Sequence, residues 1–143
     1  MRVVETLIKV RGKDPVTKKI RITRHGPIIN EVKKGIKEAL AMRWSLNDAL
    51  GALECFMGLN TAKNWDDFKG AVSQLHGPGQ NMPYADRHGN IGYYSCARIP
   101  IRANPSDGPL PMPGWDGLHE WVGYVPFEKN PHLFNPVVTL KIR

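Results

Sequence analysis

No apolar run in this chain of 143 residues approaches the roughly 20 residues that a helix needs to cross a bilayer. The opening MRVVETLIKVRGK carries charges every few residues where a signal peptide would hold an apolar core. The expectation is a chain with no export address of its own and a compartment left open. Cysteine is scarce. Cys55 and Cys96 are too far apart in sequence for a zinc or redox pair and too few for a disulfide framework. Both read as buried thiols, and a nucleophilic role for either would need a base beside it in space. His25, His76, His119 and His132 lack paired metal-ligand spacing, and no acidic cluster has the spacing of a calcium loop. Neither a metal site nor a cofactor is expected.

What remains has the composition of one ordinary domain, 41% hydrophobic and 23% charged, with a single core over residues 1–143. The net charge of +7 is unevenly spread: residues 1–37 hold 11 Lys and Arg against 3 acids, and the remainder holds 9 against 10. A basic N-terminal quarter can attract nucleic acid or another anion, because phosphate neutralisation drives non-specific binding. Lys9, Arg11, Lys13, Lys18, Lys19 and Arg21 fall within two alternating segments and their turn. A solvated sheet face is the simpler reading, and nucleic acid is not the expected partner.

LIKVRGKDPVTKKIRIT alternates apolar and polar residues on either side of a turn, which predicts a hairpin from about Val4 to Thr23. Gly26-Pro27 then makes a corner and closes a first section over 1–36. EALAMRWSL is compatible with a strand or a helix. Ser45 or Asn47 is a suitable N-cap for a helix whose apolar residues, Ala49, Leu50, Leu53, Phe56, Met57 and Leu59, would need burial in a core or a ligand pocket. A second helix is expected from Asn64, a capping residue, with Asp66 and Asp67 in its first turn and Trp65, Phe68, Val72 and Leu75 on its buried face. The short connection makes 45–76 an antiparallel helix pair.

NMPYAD and NIGYYSCARI read as two strands of a hairpin over 80–99. Asp86-Arg87-His88 could be taken for an acid–base cluster. Gly89 and Asn90 accept positive φ and Asp86 can cap its own backbone, so the preferred reading is a turn. Beyond Pro100, residues 100–136 hold eight of the twelve prolines. Regular structure should be sparse there, and the interleaved Trp115, Trp121, Tyr124, Phe127 and Phe134 would pin a wrapping loop to a sheet.

RHGPII, AMRW, AKNWDDF, QNMPYADRHGNIGY, ARIPIR, LPMPGWDG and EWVGYVPFEKNPHLFNP, in that order and at these intervals, resemble the middle of the β-chain of the penicillin amidase (penicillin acylase) family of N-terminal-nucleophile hydrolases. The resemblance runs from about Glu5 to Pro136. It implies an α+β fold that is part of an αββα sandwich, mainly antiparallel strands with one helix pair and a long Pro-rich loop. It also implies hydrolysis of the linear amide bond of a penicillin or another acylated amine. In that family a serine at the start of the β-chain attacks the amide, its own α-amino group acts as base, and a backbone N–H and an Asn side chain hold the oxyanion.

No Ser, Cys or Thr precedes Thr6, and after FNP the chain reads VVTLKIR, a plausible strand without the family's Asn. The expectation is therefore a section with no catalytic residue of its own, inactive alone. Carried across by position, Phe56 stands where some members place an aromatic residue of the acyl pocket. Gln80 stands where they place an apolar one. The family's structural calcium draws mainly on residues outside this span. The expected partners are the rest of the parent enzyme or a second copy, joined through uncovered sheet edges into a homo-oligomer. The alternative is a non-catalytic binding or structural module that works through its basic hairpin.

Overall fold

Alternation and turn chemistry account for the first part of the chain. In the computed structural model, which describes residues 1–30, 32, 35, 37–48, 50–108 and 110–137, β1 (Arg2–Ile8) and β2 (Val16–Thr23) form an antiparallel hairpin. Gly12 turns it at φ +72°. Its register pairs Val4 with Ile20 and Ile8 with Val16, so these residues and Ile22 share one face, while Val3, Glu5, Leu7, Lys19 and Arg21 share the other. Glu5 and Lys19 lie opposite one another with an Oε1–Nζ distance of 2.9 Å. Being exposed, that pair contributes less than about 1 kcal/mol.

The corner follows from Thr23, whose hydroxyl donates to the Gly26 carbonyl at 3.1 Å and accepts from the His25 N–H at 3.1 Å. Gly26, at φ +114°, takes a conformation that other residues rarely adopt. With Pro27 it forms β3 (Gly26–Pro27) beside β2. The AMRW stretch is extended: Ala41 bridges Ile28, and the Asn30 side chain ties the carbonyl of Glu38 and the N–H of Leu40. Residues 107–117 belong to this unit with 1–44, and Arg24 donates to the Gly114 carbonyl at 2.9 Å.

The second unit takes residues 45–106 and 118–143; the expected VVTLKIR strand lies, from Val138 on, outside the described residues. Two helices, α1 (Ala52–Thr61) and α2 (Trp65–Val72), are joined by three residues. Asn64 caps α2 by accepting from the Asp67 N–H at 2.9 Å, and the Asp67 carboxylate returns to the Lys63 N–H at 3.0 Å, a reciprocal cap. Neither Ser45 nor Asn47 caps α1. Ser45–Asp48 is a separate 3-10 turn, fastened by Tyr124, whose hydroxyl donates to the Asp48 carboxylate at 2.8 Å. The helix begins after Gly51 at φ +80°, where a Cβ would collide with the Gln74 carbonyl.

Under the helices lies a sheet in the order β4 (Gln80–Ala85), β5 (Ile91–Cys96), β8 (His132–Phe134), all antiparallel. A separate ribbon pairs β6 (Pro100–Arg102) with β7 (Trp121–Tyr124). The segment read as a wrapping loop thus contributes three short strands. Its prolines sit where strands tolerate them, Pro100 at a first position and Pro131 just before β8. Among the described residues no helix is long and apolar enough to cross a membrane.

Cys55, Phe68, Val72, Leu75, Tyr94 and Cys96 form the buried core, joined by the partly buried Leu59, Trp65, Met82, Tyr84 and Phe127. Trp65 stacks on Phe68 and on Phe134 at 5.2 and 4.8 Å. This close approach requires glycine at position 92, since a Cβ there would enter the Trp65 ring. Tyr94 lies in a second stack, 4.4 Å from Phe127 and 4.8 Å from His132.

Candidate functional site

Asp86 accepts four hydrogen bonds: from the Asn90 amide at 2.8 Å, the Tyr84 hydroxyl at 2.9 Å, the His88 N–H at 2.8 Å and the Asn90 N–H at 3.0 Å. Donation by the Asn90 side chain, with these other bonds, holds the carboxyl at about 2. A carboxylate so committed neither takes nor gives a proton near neutrality. Asp86-Arg87-His88 is a turn, closed by Gly89 at φ +83°.

The thiols of Cys55 and Cys96 are both fully buried. Burial pushes Cys55 up, and burial followed by the proximity of Cys55 pushes Cys96 to about 12. Cys96 donates weakly to the Tyr94 carbonyl at 3.5 Å. Both remain protonated at neutral pH, the opposite of what a nucleophile needs. His132 is occupied by its stack on Tyr94 and by a 2.8 Å contact between Nδ1 and the Asn130 carbonyl. Among the described residues no three His, Cys, Asp or Glu could together hold a metal ion, so these side chains do not by themselves make a calcium site.

Phe56 sits on α1, and the helix faces the way its small residues allow. Cys55 is its only fully buried residue, and Gly58 packs so tightly on α2 that a Cβ there would come within 2.9 Å of the Ala71 Cβ. The apolar residues that sequence reading gave to a core or a ligand pocket divide: Leu59 packs on the core, while Leu50, Leu53, Phe56 and Met57 are 74, 70, 53 and 62% exposed and form no part of it. Leu53, Phe56 and Met57, at i, i+3 and i+4, make an outward apolar stripe, and the signal for it was the Cys55–Gly58 spacing on the opposite side. Ala49 lies outside the described residues.

Gln80 is the first residue of β4, paired across the ladder with Cys96 and exposed. It shares a face with Met82 and Tyr84, which pack on the core. Phe56 follows Cys55 on α1 but points outward, and Gln80 pairs with Cys96 across the β4–β5 ladder. An open groove of about 570 Å³ lies on the α2 side of α1. It is lined by Glu54, Gly58, Thr61, Asp67, Gly70 and Gln74 among others, and neither candidate reaches it.

Comparison with known proteins interprets this arrangement. The model of the penicillin amidase family matches residues 1–139. An acyl-homoserine lactone acylase, QuiP, of Pseudomonas fluorescens is 32% identical over 132 residues, which are 85% of this chain and 16% of that protein. Penicillin acylase 2 proenzyme of a Pseudomonas species is 34% identical over 133 residues, covering 90% of this chain and 16% of that protein. Thermostable penicillin G acylase from Alcaligenes faecalis superposes with a TM-score of 0.79 at 30% identity, over 96% of this chain and 24% of that one.

The helix pair and antiparallel sheets are an α+β section of an N-terminal-nucleophile hydrolase fold. More narrowly, the chain belongs to the penicillin amidase family, an amidohydrolase family, and spans about a sixth of the length of the curated relatives it matches.

Proposed function

We propose that this chain is part of an enzyme that hydrolyses the linear amide bond of an N-acylated small molecule, a penicillin or an acyl-homoserine lactone. Its share of the work is the wall of the acyl subsite. The observation that carries the reading is the outward stripe of Leu53, Phe56 and Met57, apolar surface held firmly by a helix whose other side is locked to α2 through Gly58. A stripe of that kind binds an acyl group by removing apolar area from water, about 25 cal/mol per Å². Gln80, exposed at the start of β4, is proposed as a separate polar contact for the acyl group.

The attacking serine and the oxyanion-holding asparagine come from polypeptide outside these 143 residues, and the section alone is inactive. The rest of that polypeptide, or a second copy of this chain, covers the uncovered β1 edge and the α1 stripe. The test compares the 143-residue chain with a longer polypeptide containing it, an upstream serine and the downstream asparagine, by release of free amine from a phenylacetyl amide and from an acyl-homoserine lactone. Turnover by the longer protein only supports the proposal. Turnover by the 143-residue chain, or by neither, refutes it.

A second reading has one observation in its favour: Lys9, Arg11, Lys13, Lys18, Lys19 and Arg21 are all exposed, as a module binding anions through its hairpin would require. Salt-sensitive DNA binding that disappears on neutralising Lys18, Lys19 and Arg21 would support that reading. No binding at low salt would remove it.

A further inference from the structure

No residue of the β1–β2 hairpin is buried, and its turn end combines two kinds of exposed side chain. Ile8 and Val16 face each other across the last pair of the ladder, and Leu7 lies on the opposite face. The Val10 carbonyl accepts from the Lys13 N–H at 3.2 Å to close the turn. Ile8, Val16, Leu7 and Val10 are 46, 45, 61 and 37% exposed. Lys9, Arg11, Lys13 and Lys18 stand among them with Asp14 as the one acid, a net charge of +3 over residues 7–18. Glu5 takes Lys19, and among the described residues none of these four cations has an acidic partner.

We propose that this end of the hairpin docks on an anionic lipid bilayer, with its cations on the head groups and Leu7, Ile8, Val10 and Val16 at the boundary with the acyl chains. Aliphatic side chains interleaved with Lys and Arg gain from both parts of such a surface. Nucleic acid would use only the charge. Bases are held by stacking on aromatic rings or by amide side chains on their edges, yet residues 1–43 contain no Phe, Trp or Tyr and the hairpin no Asn or Gln. A second copy of the chain would bring the same positive charge against it. Each cation near an anionic surface is worth about fivefold in affinity, and each half-exposed aliphatic side chain about threefold to fivefold.

The test is sedimentation of the 143-residue chain with vesicles containing phosphatidylglycerol and with pure phosphatidylcholine vesicles, at low and high salt. Binding to the anionic vesicles alone, weakened by salt, is expected. Lys9→Gln with Arg11→Gln and Lys13→Gln should weaken it about a hundredfold. Lys63→Gln with Lys69→Gln and Lys129→Gln removes the same charge elsewhere and should weaken it by less than about threefold. Ile8→Thr with Val10→Thr keeps the β-branched shape that suits a strand and should weaken it about tenfold. No binding to either vesicle, equal loss from the two triple variants, or undiminished binding by the threonine variant would overturn the proposal. Tighter binding to duplex DNA than to the vesicles would overturn it in favour of nucleic acid. Loss of vesicle binding in a longer polypeptide containing this chain would overturn it in favour of a hairpin covered by the rest of the protein.

Discussion

Asn130 is 1% exposed, and its amide donates to the carbonyls of Ser95 and Ala97 at 3.1 and 3.0 Å. Those two carbonyls end β5, where the chain leaves the sheet. Asn130→Ala removes both donors and leaves the part-buried acceptors without them. Each net hydrogen bond is worth about 1 kcal/mol and each orphaned buried group costs about 1–3 kcal/mol, so the loss should be about 2–4 kcal/mol. Asn130→Asp is the sharper perturbation. It is nearly the same size but turns a carboxylate toward two carbonyl oxygens, so it should cost more than the alanine at neutral pH. The buried carboxyl in that variant titrates above its unfolded value, so its excess cost is full above the folded pKa and shrinks as pH falls through it, where the neutral acid regains one donor. Urea unfolding at pH 7 and pH 5, followed by the near-UV dichroism of the Tyr94, Phe127 and His132 stack, measures this directly. An alanine variant within about 0.5 kcal/mol of the parent, or an aspartate variant no worse than alanine, would refute the assignment of Asn130 as the clamp between β5 and the Pro-rich segment.

The turn at Asp86 gives a pH prediction of the opposite sign. Its folded value of about 2 lies below the ordinary 3.8, so its contribution is fully present above 3.8 and lost as pH falls toward 2. Asp86→Ala should remove this acid-dependent component, and a chemical-shift titration of the His88 and Asn90 amides that is unchanged in the variant would contradict it. Native protein should leave Cys55 and Cys96 unmodified by a thiol-exchange reagent, both reacting after unfolding; fast native labelling would contradict their burial. Leu53→Glu with Met57→Glu should shift any self-association of the chain toward monomer in size-exclusion light scattering, by placing charge on the exposed stripe. An unchanged assembly would mean that another surface, the β1 edge foremost, carries it.

Local chemistry was the legible part of the sequence. The first hairpin, the Asn64 cap and the Asp86 turn each depend on side chains within about four residues of the backbone they satisfy, and each was read correctly. The orientation of α1 was not legible. Leu50, Leu53, Phe56 and Met57 are more apolar than Cys55 and Gly58, which turn inward together with Leu59, and hydrophobicity alone turns the larger set inward. What decides the matter is Gly58 against Ala71, a close approach between helices that rewards the absence of a side chain. The strands inside the Pro-rich segment were hidden for a related reason: β8 is held by Asn130 and by Asn135, whose amide oxygen accepts from the Ile91 N–H at 2.9 Å, contacts far apart in sequence.

The same distinction bears on function. The groups that look reactive in the sequence, Asp86 with His88 and the two thiols, are committed to a turn and to a core, which holds the Asp86 carboxyl low and pushes both thiols up. Among the described residues, Leu53, Phe56 and Met57 are exposed on a helix that the other side holds rigid, and Gln80 is exposed at the open end of a strand. A side chain that costs solvation and returns nothing to the fold is best explained by something that covers it. Under the proposed function the section supplies no nucleophile, and what these residues would govern is which acyl group is held while the amide is cut. Their substitution should therefore change the ranking of acyl groups in the longer enzyme and leave the rate on its best substrate nearly as it was. A Phe56→Ala enzyme that lost turnover equally on every acyl group would show that the residue supports the catalytic frame instead.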